Sequence, residues 1–119
     1  AKDLMLIDEL SKMGASVFVS TDDGSQGVKG LVTAVVLEQI EANKPDCLYA
    51  CGPTGMLMAL WKMCKAHEIA AQLSFEALTR CGIGLCGACE LDESLCARLG
   101  LAAGWLVCHD GPVAKLNSE

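Results

Sequence analysis

At 119 residues the chain has room for one modest domain, or for two small units sharing a core. It is 52% apolar and 20% charged, which argues against disorder, and its net charge of −6 with nine scattered Lys and Arg leaves no basic stripe for nucleic acid. No apolar run reaches the length of a membrane span, since Leu31–Leu37 is stopped by Glu38 and Glu41.

The predicted elements begin with an amphipathic helix over Lys2–Met13, apolar at Leu4, Ile7 and Leu10 and ended by Gly14. Ala15–Ser20 contains Val17-Phe18-Val19, a run suited to a buried parallel strand. Thr21–Ser25 is a polar turn, and Gly30–Ala42 returns to helical spacing through Leu31, Val35 and Ile40. Asn43-Lys44-Pro45-Asp46 breaks that helix, and Cys47–Ala50 reads as a second buried strand. A tight turn at Cys51–Gly55 leads into a helix over Met56–His67, and Ala70–Glu76 is a third strand. The alternation predicts an α/β fold, a small parallel sheet with flanking helices. After Glu76 the chain becomes rich in glycine and cysteine, with little regular structure beyond a helical stretch around Cys96 and a short strand at Trp105–Val107. The boundary is placed near Ala77, dividing residues 1–76 from 77–119.

The most specific pattern lies in the second part. Cys81, Cys86 and Cys89 are spaced C-x4-C-x2-C, with further cysteines downstream, the arrangement of plant-type [2Fe–2S] ligands. Glycine and alanine fill most of the gaps, as a loop must that curls three sulfurs inward and brings backbone N–H groups against them. Structural zinc sites usually pair two CxxC-like hooks, whereas this chain has one three-cysteine hook and a distant fourth ligand. Zinc, free thiols and a disulfide remain alternatives. Cys108 is favoured as the fourth ligand over Cys96, because it sits where a strand enters a turn while Cys96 lies on a helical stretch. Cys47 and Cys64 read as buried small hydrophobes. His109 reads as a neighbour that tunes the cluster or as a surface residue. Eight cysteines with no preceding signal peptide point to a reducing, cytoplasmic setting. The absent initiator Met and a start inside a helical pattern suggest a piece of a longer protein.

Cys51-Gly52-Pro53-Thr54-Gly55-Met56 follows a predicted strand and opens a helix. Ligands of open α/β sheets bind at such a strand end, and the free N–H groups of Thr54–Met56 favour a phosphate or polar carbonyl. Many Gly-Pro turns bind nothing, so alone the motif is weak.

Taken in order, Thr21–Gly30, Cys51-Gly52-Pro53-x-x-Met56, the cysteine hook and Val107–Val113 resemble one family over essentially the whole chain. The chain resembles the C-terminal half of the electron-transfer subunit of NAD-linked dihydroorotate dehydrogenase, within the ferredoxin–NADP reductase superfamily. The resemblance implies the second half of a reductase-like nucleotide domain followed by a [2Fe–2S] segment with Cys81, Cys86, Cys89 and Cys108 as ligands. It implies electron relay between FAD in the intact subunit and a partner catalytic flavoprotein subunit, in pyrimidine biosynthesis. It places Cys51, Gly52, Pro53 and Met56 near the nicotinamide of NAD(H), and Thr21, Asp22 and Asp23 at the adjacent end of the cleft. The carboxylates of Asp22 and Asp23 would repel a 2′-phosphate, which favours NADH over NADPH, although either could instead cap its own loop. Ile83, Leu85 and Trp105 are expected to limit water around the cluster. Related modules serve as diaphorase subunits of hydrogenases and as NAD(P)H–ferredoxin oxidoreductases. The chain departs from the family in having no flavin barrel, no glycine-rich first βα turn, and a long gap between Cys89 and Cys108. It is therefore expected to be inactive without its FAD-binding domain.

Overall fold

The computed structural model describes residues 4–117. These divide into two compact units between Asn43 and Lys44.

The first unit contains helix α1 (Ile7–Lys12), strands β1 (Ser20–Thr21) and β2 (Val28–Lys29), and helix α2 (Val32–Ala42). Helix α1 is shorter than the predicted Lys2–Met13: Leu6 precedes it at φ 64°, and Lys2 and Asp3 lie outside the described residues. None of its residues is buried. The strand expected at Val17-Phe18-Val19 is not formed. Only Ser20 and Thr21 pair, in parallel with Val28 and Lys29, and Phe18 is 57% exposed. Two paired residues with no further strand beside them offer no sheet face on which an apolar run could be buried. Gly27 closes this loop over Val19, where a Cβ would collide with the Val19 carbonyl. Helix α2 starts two residues late because Leu31 is extended, and it buries Val35 and Ile40 as its spacing predicts, while Leu31 is exposed.

The second unit comprises β3 (Cys47–Cys51), α3 (Thr54–Ala66), β4 (Ala70–Ser74), α4 (Glu93–Leu99) and β5 (Val113–Leu116). Its sheet order is β3-β4-β5. Strands β3 and β4 are parallel, with Cys47 opposite Ala70 and Cys51 opposite Ser74, joined through α3. Strand β5 is antiparallel to β4, pairing Ala71 with Leu116 and Ser74 with Val113. The sheet is therefore mixed, which corrects the all-parallel expectation. Strand β5 enters beside the end of β4 after a connection that carries the cysteine segment and α4, so the chain need not cross back to the start of β4. Its four residues alternate exposed and buried, so Ala114 and Leu116 reach the core.

Helix α3 buries Leu57, Leu60, Trp61 and Cys64, the i, i+3, i+4, i+7 stripe of an amphipathic helix. These pack in a core that includes Ile69, Leu73 and Phe75. The helix ends at His67, and Glu68 at φ 52° turns the chain into β4. Helix α4 is the helical stretch expected around Cys96. Asp92 caps it, accepting from the Ser94 and Leu95 N–H groups, and Gly100 closes it at φ 70°. The strand expected at Trp105–Val107 is instead a single antiparallel bridge, Leu106 with Glu90.

Candidate functional site

The cysteine hook is irregular chain shaped by glycines in the left-handed region, Gly82 at φ 71°, Gly84 at 77° and Gly87 at 68°. Curling in this way aims main-chain donors at sulfur: the Leu85 N–H donates to Cys81 Sγ at 3.4 Å. The N–H groups of Ile83, Cys86 and Leu85, with the Cys86 thiol, stabilise the thiolate and bring the Cys81 pKa down to about 6. A thiol tuned in this direction is readied as a metal ligand.

The remaining half of the site is assembled by two extended stretches. Leu91 N–H donates to Trp105 O at 3.0 Å and Val107 N–H to Cys89 O at 3.2 Å, so Cys89–Leu91 runs beside Trp105–Val107. This places Cys108 against Cys89, and the Cys108 N–H donates to Cys89 Sγ at 3.4 Å. The neighbouring Cys89 thiol and burial push the Cys108 thiol up, while the Gly84 N–H acts in the opposite sense. The turn that carries Cys108 is closed by the Asp110 carboxylate, which accepts from the Leu106 N–H at 2.8 Å and from His109 Nδ1 at 2.8 Å. Those two donors hold the Asp110 pKa below the ordinary carboxylate value. Behind the turn, Trp105 is buried and meets Phe75 edge-on with ring centroids 6.4 Å apart. Gly111 lies so close to the Trp105 ring that a Cβ would collide with it.

Cys108 and Cys89 thus meet through a main-chain donor on sulfur, while Cys81 and Cys86 lie together in the hook. Among the described residues no three Cys, His, Asp or Glu side chains converge closely enough to hold one metal ion. Cys96 is elsewhere, 1% exposed on α4 with its thiol directed at the Leu91 carbonyl. Of the residues expected to exclude water, Trp105 is buried, but Ile83 and Leu85 are 65% and 81% exposed. They could shield the thiols only if something else covers them. Of the two cysteines expected as buried small hydrophobes, Cys64 is fully buried and its thiol is pushed up by burial, whereas Cys47, at the start of β3 in a sheet edge strand, is only half-buried.

At the end of β3, Cys51 is exposed and Gly52 sits under the Met56 side chain at φ 152°, where a Cβ would collide with Met56 Cε. Pro53 precedes α3 without a side-chain cap, so the first N–H groups of the helix have no capping side chain. A shallow apolar pocket of about 260 Å³ lies at this end of the sheet, lined by Tyr49, Cys51, Gln72, Ser74 and Val113 among others. Thr21, Asp22 and Asp23 belong to the first unit. There the Thr21 hydroxyl donates to Gln26 O at 2.8 Å, and Asp23 accepts from the Ser25 N–H at 2.9 Å. Asp23 thus caps its own loop, and the Ser25 donors lower its pKa. Asp110 and the contact of His109 with Gly84 were not singled out from sequence. The signal available was a carboxylate two residues past a cysteine in Cys108-His109-Asp110-Gly111-Pro112.

The fold, a β3–β4–β5 sheet with α3 leading from a Cys-Gly-Pro turn, is similar to that of a ferredoxin–NADP oxidoreductase. The solved structure of an NADH-dependent reduced ferredoxin–NADP oxidoreductase, studied for flavin-based electron bifurcation, matches with a TM-score of 0.65 and 26% identity, over 97% of this chain and 39% of that one. The more particular resemblance also holds. The chain is 41% identical over 106 residues to a probable electron transfer subunit of dihydroorotate dehydrogenase B (NAD(+)) from Methanopyrus kandleri, covering 89% of this chain and 37% of the relative. It is 39% identical over 114 residues to the corresponding subunit of Caldanaerobacter subterraneus subsp. tengcongensis, covering 94% of this chain and 43% of that subunit. The Methanocaldococcus jannaschii protein of the same description is 35% identical over 112 residues, 94% of this chain and 40% of the relative. The chain spans about two-fifths of the length of these relatives. No family model matches it.

Proposed function

We propose that this chain is the nucleotide-and-cluster part of an electron-transfer subunit, residues 1–76 forming half of an NAD(H) site and 77–119 a [2Fe–2S] segment. The observation that carries the reading is that main-chain N–H groups are directed at two of the four candidate sulfurs, Leu85 at Cys81 and Cys108 at Cys89. A structural zinc ion needs four ligands at one point, whereas a two-iron cluster with four cysteine ligands needs two thiolates at each iron. Cys81 and Cys86 share the hook, and Cys108 meets Cys89 across the two extended stretches, an arrangement suited to the second demand. The N–H groups of Leu85 and Cys108, already directed at sulfur, fit it too. When bound, such a cluster supplies one-electron relay between FAD and a partner flavoprotein.

The chain's own residues would do the rest. Cys51, Gly52, Pro53 and Met56 would receive the nicotinamide end of NAD(H) beside the open N-terminus of α3. Leu78, Ile83 and Leu85 are exposed apolar residues at or near the hook, suited to being covered by the catalytic flavoprotein subunit. The FAD-binding domain would be supplied by the intact subunit, and dihydroorotate oxidation by the partner, as the relatives' names suggest. No helix among the described residues is long and apolar enough to cross a membrane, and the cysteine-rich segment suits a reducing, cytoplasmic setting. Resemblance to a ferredoxin–NADP oxidoreductase supports a second reading, with ferredoxin as the partner.

Anaerobic purification with iron and sulfide analysis tests the cluster. The expected protein absorbs between about 400 and 550 nm and gives an EPR signal on reduction. Cys108→Ser should abolish both, and Cys96→Ser should retain both. A colourless protein holding one zinc would overturn the reading. Without an added flavoprotein, the chain should not reduce dyes with NADH.

A further inference from the structure

The four candidate ligands come from two stretches of chain, and the connection between those stretches is polar. Asp110 has one carboxylate oxygen on the Leu106 N–H at 2.8 Å and the other on His109 Nδ1 at 2.8 Å. Its own N–H, and that of His109, donate to Leu106 O at 2.8 and 3.1 Å, so the Leu106–Asp110 turn is closed from both main chain and side chain. Leu106 in turn bridges Glu90, next to Cys89. On the other side, the His109 ring packs on the hook where Gly84 has no side chain: a Cβ there would come within 3.0–3.1 Å of the ring. Next to Gly84, the Leu85 N–H donates to Cys81 Sγ, and the Cys108 N–H donates to Cys89 Sγ. The path therefore runs from the Asp110 carboxylate through the imidazole to the hook backbone, and through Leu106 to the fourth ligand. It ends in both cases on an N–H directed at a sulfur.

We propose that Asp110 is a positioning residue which, through His109 and Leu106, fixes the N–H donors of Leu85 and Cys108 on the ligand sulfurs and so sets the retention and reduction potential of a bound cluster. The inference rests on the [2Fe–2S] reading of the four cysteines. Hydrogen bonds to ligand sulfur are among the determinants of cluster potential, and partners of ligands typically change metal affinity 10–100-fold when removed. An exposed imidazole and a part-exposed carboxylate at a turn would otherwise be of little consequence: His109 and Asp110 side chains are 64% and 35% exposed.

The test uses the cluster-loaded protein, reconstituted anaerobically, with Asp110→Ala, Asp110→Asn and His109→Ala. Bleaching by an iron chelator should be at least about tenfold faster in Asp110→Ala than in the parent. Its midpoint potential should be more negative, because thiolates stripped of N–H donors favour the oxidised cluster. Asp110→Asn keeps one carbonyl acceptor and should fall between the two. His109→Ala should shift the potential in the same direction while leaving the unfolding temperature of the iron-free protein unchanged. If Asp110→Ala retains the parental bleaching rate and potential, the proposal is wrong. Should Asp110→Ala fail to fold, a parental potential in His109→Ala overturns it equally. A parent that takes up neither iron nor sulfide defeats the cluster reading first, and is recognised before any variant is compared.

Discussion

Two regions of the second unit are held together by different physics. Around α3 and β4 the structure rests on apolar burial: Leu57, Cys64 and Leu73 are fully buried, and Phe75 is 2% exposed. In the hook from Cys81 to Gly87 and in the Leu106–Asp110 turn, order depends largely on single hydrogen bonds, on glycines in positive-φ positions, and on the Asp110 carboxylate. A buried side chain touches many neighbours, so its loss is a loss of stability everywhere in the unit. A donor on a sulfur touches one atom, so its loss should change what that atom can hold and little else. The difference suits an electron carrier, in which a rigid sheet would support a segment whose shape is completed by its cofactor.

This contrast can be broken by substitution, and the core should respond most strongly. Leu57→Ala removes a fully buried side chain from the α3 face, at an expected cost of about 2–5 kcal/mol. Chemical unfolding would measure it, and any protein that still folds should take up iron as the parent does. If Leu57→Ala loses the cluster while remaining folded, the two regions are not separable in this way.

Gly111→Ala tests the border between them. Gly111 follows the polar turn, yet its constraint is steric, because a Cβ there would collide with the buried Trp105 ring. Moving that ring disturbs its edge-on contact with Phe75, and overpacking of this kind costs about 1–3 kcal/mol. Tryptophan fluorescence should change together with the unfolding midpoint. A substitution without effect on either would place Trp105 outside the support of the turn.

The same contrast explains what was legible in the sequence. The stripe Leu57, Leu60, Trp61, Cys64 and the strand at Ala70 follow from periodicity, since burial repeats along an element, whereas the strand expected to be buried at Cys47 forms with no buried residue and with Tyr49 72% exposed. The hook is proposed for a chemical reason, since its cysteine spacing is that of plant-type cluster ligands, and what the structure adds is the main-chain donors on Cys81 and Cys89. Strand β5 was missed because four residues of alternation are too few to stand out, and its pairing with β4 is non-local. Val17-Phe18-Val19 misled because an apolar triplet promises a strand only where a sheet face exists to receive it, and β1 ends with two paired residues. Asp110 was not found because its role lies in bonds to Leu106 and His109, which spacing does not encode.

The smallest expected effect belongs to Asp92, whose carboxylate caps α4 on the Ser94 and Leu95 N–H groups. The Ser94 hydroxyl, first, and the Leu95 N–H hold its pKa below the ordinary 3.8. A depressed carboxylate pKa stabilises the fold above the unfolded value, and that contribution disappears as pH falls through the lower, folded value. Asp92→Ala should therefore lower the thermal midpoint by a few degrees at neutral pH, and the gap between parent and variant should close only below the 3.8 of a free aspartate. Because α4 carries the buried Cys96 and not a candidate ligand, the variant should keep its iron and its EPR signal. Faster loss of the cluster from Asp92→Ala would show that α4 belongs with the cysteine segment, not with the apolar core that Cys96 and Leu99 join.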